Sequence, residues 1–135
     1  MPKEDYLLKY LEKLSRVIAA MLGFREKGLP QNSIRLADEA YKELLGVNIE
    51  ELTIMQIGSF DDLIKKNRYN ASYLELIAQL AHQTALAYKL DGNEAIAINY
   101  FTKALHLYYM LNEKDKTFSL EREMIIENLK KALTI

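Results

Sequence analysis

Cysteine is missing from this sequence altogether, so a disulfide framework, a thiolate metal site and a cysteine nucleophile are all ruled out. No charge of one sign prevails: 18 basic residues stand against 19 acidic ones, and the basic residues are scattered rather than gathered in tracts. That balance argues against a general nucleic-acid binder, which needs a basic face to meet phosphates. Long apolar runs are missing too. The longest near the start, Val17 to Phe24, lies between Arg16 and Arg25 and is about a third of a membrane span. Glu4, Asp5 and Glu12 stand where a secretory signal carries basic residues. The expectation is a cytoplasmic protein that does not engage a membrane. Glycine is scarce: there are five, each read as marking a turn, and none forms a phosphate-cradling loop. A nucleophile elbow, a zinc-protease motif and a dinucleotide fingerprint are equally missing. The expectation is therefore a protein that is not an enzyme and holds no cofactor.

What is present is helical periodicity. At 135 residues the chain is one domain long and able to bury roughly two-thirds of its unfolded surface. Leu7, Leu11, Leu14, Ile18 and Met21 alternate by four and three residues, which predicts a helix over 5–24 with one apolar stripe. Gly28 and Pro30 interrupt it, and a second helix follows over 33–45, capped by Asn32 and closed by Gly46. From 47 to 70 the pattern weakens to a connector of two short helices, one opened by Asn48 with Glu51, the other by Ser59 with Asp62. Asn70 reads as the N-cap of a third long helix over 71–90, rather than as a used glycosylation sequon with Ser72. Further helices are predicted over 94–111 and over 117–133, the last apolar at Phe118, Ile125, Leu129, Ala132 and Leu133. No segment alternates with period two, so the fold class is all-α.

Small and bulky residues are spaced for close helix packing. Ala85, Ala97 and Ala104 leave gaps, Tyr88 and Phe101 fill them, and Gly92 gives a short turn its backbone freedom. The segment 78–109 resembles a tetratricopeptide repeat on these residues, with Ala81, Thr84 and Tyr109 replacing that family's usual tryptophan, leucine and proline. Moving the template back by 64 residues meets Phe24, Gly28, Ser33, Ala37 and Ala40. With Tyr6 to Tyr10, Ala19 to Gly23 and Leu44 to Gly46, the chain resembles a small bacterial family of tetratricopeptide-like proteins of unassigned function. The resemblance implies a single domain of antiparallel hairpins in a short right-handed stack: a hairpin over 5–46, the connector over 47–70, a hairpin over 71–112 and a capping helix over 117–133. The connector stands where a degraded middle repeat would fall.

The family's geometry further implies a partner-facing surface on the first helix of each hairpin. It comprises Gln79, His82, Leu86, Lys89 and Leu90, matched by Ser15, Ile18, Leu22, Arg25 and Glu26. Arg25 and Lys89 fall at equivalent positions and suit an acidic segment or terminal carboxylate of a bound protein or peptide. They suit equally well the negative ends of their own helices as solvated charges. His82 and His106 have no metal-binding partner at helical spacing, and Glu121, Glu123 and Glu127 lack a histidine, so no metal is expected. Tyr100, Phe101, Tyr108 and Tyr109 cannot all face one neighbour. A second copy of the chain, docked on an exposed apolar end, is the alternative partner. A small-molecule pocket between hairpins is a third reading.

Overall fold

Tyr100 shows what holds the core together. Its ring is fully buried and stacks between Tyr41 at 6.2 Å and Tyr88 at 5.8 Å, so residues from three separated helices share one aromatic column. Around it the computed structural model, which describes residues 3–67 and 70–135 and side chains from residue 8, forms seven helices and no strand among the described residues. They are α1 (Lys3–Glu26), α2 (Pro30–Leu45), α3 (Ile49–Ile54), α4 (Ile57–Lys66), α5 (Ala71–Leu90), α6 (Glu94–Lys114) and α7 (Leu120–Ala132). The side chain of Leu7, expected in the first stripe, and positions 68–69 of the expected connector lie outside the described residues. No helix among the described residues is long and apolar enough to cross a membrane.

Helix α5 is the hub. It packs most extensively on α6 and also directly on α1 and α2, so α3 and α4 do not come between the first helix pair and the second. A helix covered on several sides needs a wide apolar surface. Helix α5 has one, burying Leu74, Ile77, Ala78, Leu80, Ala81, Ala85 and Ala87. Close approach follows from small residues: Ala37, Ala85, Ala97 and Ala104 are fully buried and Ala40 nearly so. Thr84 is buried on α5 because its hydroxyl donates to the Leu80 carbonyl and meets the Tyr41 hydroxyl at 2.9 Å, leaving no polar atom unpaired there.

The turns after α1 and α5 carry one hydrogen-bond pattern. Leu29 N–H donates to Phe24 and Gly28 N–H to Arg25, while Asn93 N–H donates to Tyr88 and Gly92 N–H to Lys89. Each donor and acceptor is displaced by the same 64 residues. This is a Schellman-type closure. It places Gly28 at φ 73° and Gly92 at φ 85°, where a Cβ would be strained.

Helix α3 is too short to stand alone and is held at both ends by side chains. Asn48 and Glu51 form the expected capping box, and Ile49 N–H donates to Asp38 on α2 at 2.8 Å. Helix α6 supplies donors to three carbonyls along the segment: Tyr100 Oη to Ile49 in its first turn, Asn99 Nδ2 to Thr53 near its end and Lys103 Nζ to Met55 just beyond it.

Several sequence expectations are corrected. Helix α2 starts at Pro30, whose missing N–H costs nothing in a first turn; Asn32 lies inside it. Helix α4 starts at Ile57, ahead of Ser59. Helix α7 starts at Leu120 and is capped by Ser119, so Thr117 and Phe118 precede it and Phe118 is exposed rather than apolar core. Gly23 and Gly58 lie within α1 and α4 instead of at turns. Of the four rings on α6, Tyr100, Phe101 and Tyr108 are buried and only Tyr109 is exposed.

Candidate functional site

The residues expected to face a partner lie on α1 and α5, two helices in direct contact. Ser15, Leu22 and Glu26 on α1 are exposed, as are Lys89 and Leu90 on α5, while Ile18, Arg25, Gln79, His82 and Leu86 are partly buried. The two expected cations are therefore not equivalent in environment. The Arg25 Nη2 donates to Gln83 Oε1 at 3.0 Å across the α1–α5 junction, and its Nε is buried without an acceptor. The Lys89 ammonium makes no hydrogen bond or ion pair among the described residues. Arg25 thus joins two helices, whereas the Lys89 side chain is exposed.

Beneath this surface His82 packs its ring against Phe101 at 6.2 Å, linking the face to α6. Burial, with the charge of Arg25 adding to it, pushes the imidazole down to about 4 from its ordinary 6.5. The sign of the resulting pH dependence follows. On acidification the unfolded chain takes up the proton first, so stability contributed by neutral His82 is complete above about pH 6.5 and is lost as pH falls through 4. His82→Phe, which keeps a ring against Phe101, should retain about 1 to 2 kcal/mol of stability at pH 5 that the native protein loses. Urea denaturation at pH 5 and pH 7.5 checks this; equal pH slopes for both proteins would refute it.

Gln31 Nε2 donates to Asp91 Oδ2 at 2.7 Å. This bond ties the beginning of α2 to the α5–α6 turn and draws the two similar turns together. Neither Gln83 nor Gln31 stood out in the sequence, because each pairs with a residue about 60 positions away and no local pattern announces it.

A second group of ionisable residues lies elsewhere. His106 Nε2 and Asp61 Oδ1 are 2.9 Å apart, joining α6 to α4, and Lys65 pairs with the other Asp61 oxygen at 2.8 Å. Lys65 first and His106 second hold the Asp61 carboxyl below its usual range. They edge an open depression of about 400 Å³ with Tyr109, Met110, Glu113 and Lys114. No serine or threonine lines it for the imidazole to activate. Among the described residues no group of three or more His, Asp and Glu could hold a metal ion. No protein-family model, curated protein or solved structure matches the chain.

Proposed function

We propose that this chain is a non-catalytic protein-interaction module, a short tetratricopeptide-like right-handed stack whose α1 and α5 surface receives a segment of another protein. The observation that carries this reading is the twin turn geometry at a 64-residue offset, together with the direct stacking of α5 on α1 and α2. Two like helix pairs stacked in this way set the first helix of each side by side. That is the arrangement repeat proteins use to build an extended binding surface. The buried alanines at the repeat positions support the same reading, since they are what lets the pairs approach. In this reading 1–135 is one domain and α7 covers the end of the stack. A sequence with no cysteine suits a reducing bacterial cytoplasm.

The exposed Leu22 and Leu90 would supply apolar contact and Lys89 a charge for a carboxylate. Arg25 would serve mainly to fix the α1–α5 angle through Gln83. The test is affinity capture from lysate of the source organism, comparing the native protein with the double variant Lys89→Glu, Leu90→Asp, both exposed positions. A partner retained by the native protein and lost by the variant at unchanged melting temperature is expected. Equal capture by both, or by neither, would remove this surface from the argument.

A further inference from the structure

Among the described residues, α7 and its flanks carry four of the large apolar side chains that stand exposed. Arg122, Ile126 and Leu129 turn inward and are buried. At about 100° per residue, Leu120, Met124 and Lys131 fall on the opposite side, with Glu127 and Asn128 flanking them. Leu120 is 65% exposed and Met124 59%, and Phe118 and Ile135 at the two ends are each 76% exposed. Leu120 and Met124, one turn apart on the outer side of α7, with open Phe118 and Ile135 just beyond its two ends, make this helix a candidate docking surface.

The charges on α7 say what occupies it. Glu121 and Glu123 lie in its first turn and Lys130 and Lys131 in its last. A parallel copy would bring like charges together, and a uniformly acidic or basic ligand would be repelled at one end. A reversed copy of the same helix satisfies both ends at once. We infer that α7 is a self-docking surface, binding α7 of a second copy of this chain in an antiparallel, isologous pair. Aligning Leu120 with Ala132 of the second copy brings Glu121 level with Lys131 of that copy at about 1.5 Å rise per residue. Twofold symmetry repeats this contact. Met124 then sits near the axis, and Phe118 of each copy approaches Leu133 and Ile135 of the other. A single helix pair is a small interface, so the assembly is concentration-dependent. This inference concerns a different face from α1 and α5 and stands independently of the proposed peptide surface.

Sedimentation equilibrium from micromolar to millimolar protein provides the test. The native chain should rise from 15.6 kDa to twice that mass. Met124→Glu should stay monomeric, and Glu121→Lys and Lys131→Glu should each weaken association at least tenfold. The combined Glu121→Lys, Lys131→Glu chain should regain it. All three positions are exposed, so each variant should stay folded, the charge reversals at the helix ends lowering the melting temperature by no more than a few degrees. A native chain that is monomeric throughout overturns the inference and leaves the stripe to another occupant. So does a dimer indifferent to Met124→Glu, or a double variant that fails to recover.

Discussion

Tyr100→Ala should cost the protein about 3 to 5 kcal/mol of stability, a large fraction of the whole for a domain of this size. Three effects combine at this position. The ring is fully buried, so its removal leaves a cavity that the flanking Tyr41 and Tyr88 cannot fill without leaving their own packing. The hydroxyl meets Thr53 Oγ1 at 2.8 Å and donates to the Ile49 carbonyl at 3.1 Å, so α3 also loses a tether. The ring is, finally, one of two over which the Lys103 ammonium lies, at 5.5 Å. Tyr100→Phe separates these effects. It keeps the column and the cation–π contact and removes only the hydroxyl. Because Thr53 Oγ1 still donates to Ile49, the cost should be about 1 kcal/mol. Urea denaturation followed by helical circular dichroism measures both. A Tyr100→Ala loss below about 1 kcal/mol would mean the column does not organise the core.

Lys103→Met should stabilise the protein at pH 7, by about 1 to 2 kcal/mol. The Lys103 side chain is only 3% exposed, and burial pushes its ammonium down from 10.5 to about 8. No carboxylate compensates. From α3 and α4 it meets the Met55 carbonyl and the face of Phe60, and from its own helix Asn99 and Tyr100. Asp61, beside Phe60 in sequence, is engaged by Lys65 and His106. A depression of that size corresponds to a gross penalty of about 3 kcal/mol for the charged form. Part is offset because methionine cannot donate to Met55 and Asn99 or make the cation–π contacts with Phe60 and Tyr100, so the net gain is smaller. Below about pH 8 both folded and unfolded chains are protonated at this site and the penalty stands in full. Between about 8 and 10.5 the folded chain releases its proton first, so native stability rises with pH. The buried tyrosines oppose this above about pH 10, since burial raises Tyr41, Tyr100 and Tyr108 and only the unfolded chain ionises there. The advantage of Lys103→Met should therefore shrink steadily from pH 8 to pH 10. A constant advantage would show that the lysine is not titrating in that interval.

The long helices were legible in the sequence because the cues that fix them are local. Asn70 opens α5 by accepting from Tyr73 N–H, and α5 ends at Leu90 as its periodicity indicates. The capping box at Asn48 and the left-handed Gly46 are equally local. Errors arose where two local cues competed. Pro30 and Asn32 both signal a helix start, and the proline won. Thr117 and Ser119 are both competent caps, and Ser119 won. There Asp115 accepts from Thr117 N–H and pairs with Arg122 at 3.1 Å, which keeps residues 116–119 in a loop. The alanines that bring the helix pairs together were legible from their spacing, whereas the bridges between pairs were not. Arg25 with Gln83 and Gln31 with Asp91 join helices across long stretches of chain. Lys103 sits mid-helix like a surface residue, and only the three-dimensional position of α3 and α4 over it makes it buried.

Because α5 is the hub, the order of synthesis and the order of assembly differ. The α1–α2 pair is complete at Leu45, yet the Thr84 hydroxyl that Tyr41 needs and the α5 surface that covers both helices arrive only by Leu90, 45 residues later. At about 5 to 20 residues per second, the nascent first pair waits roughly two to nine seconds with its apolar side uncovered. Helix α5, by contrast, gains its largest neighbour, α6, as soon as the next segment emerges. The N-terminal pair is thus the part of the chain that waits longest for its apolar side to be covered, even though it is made first.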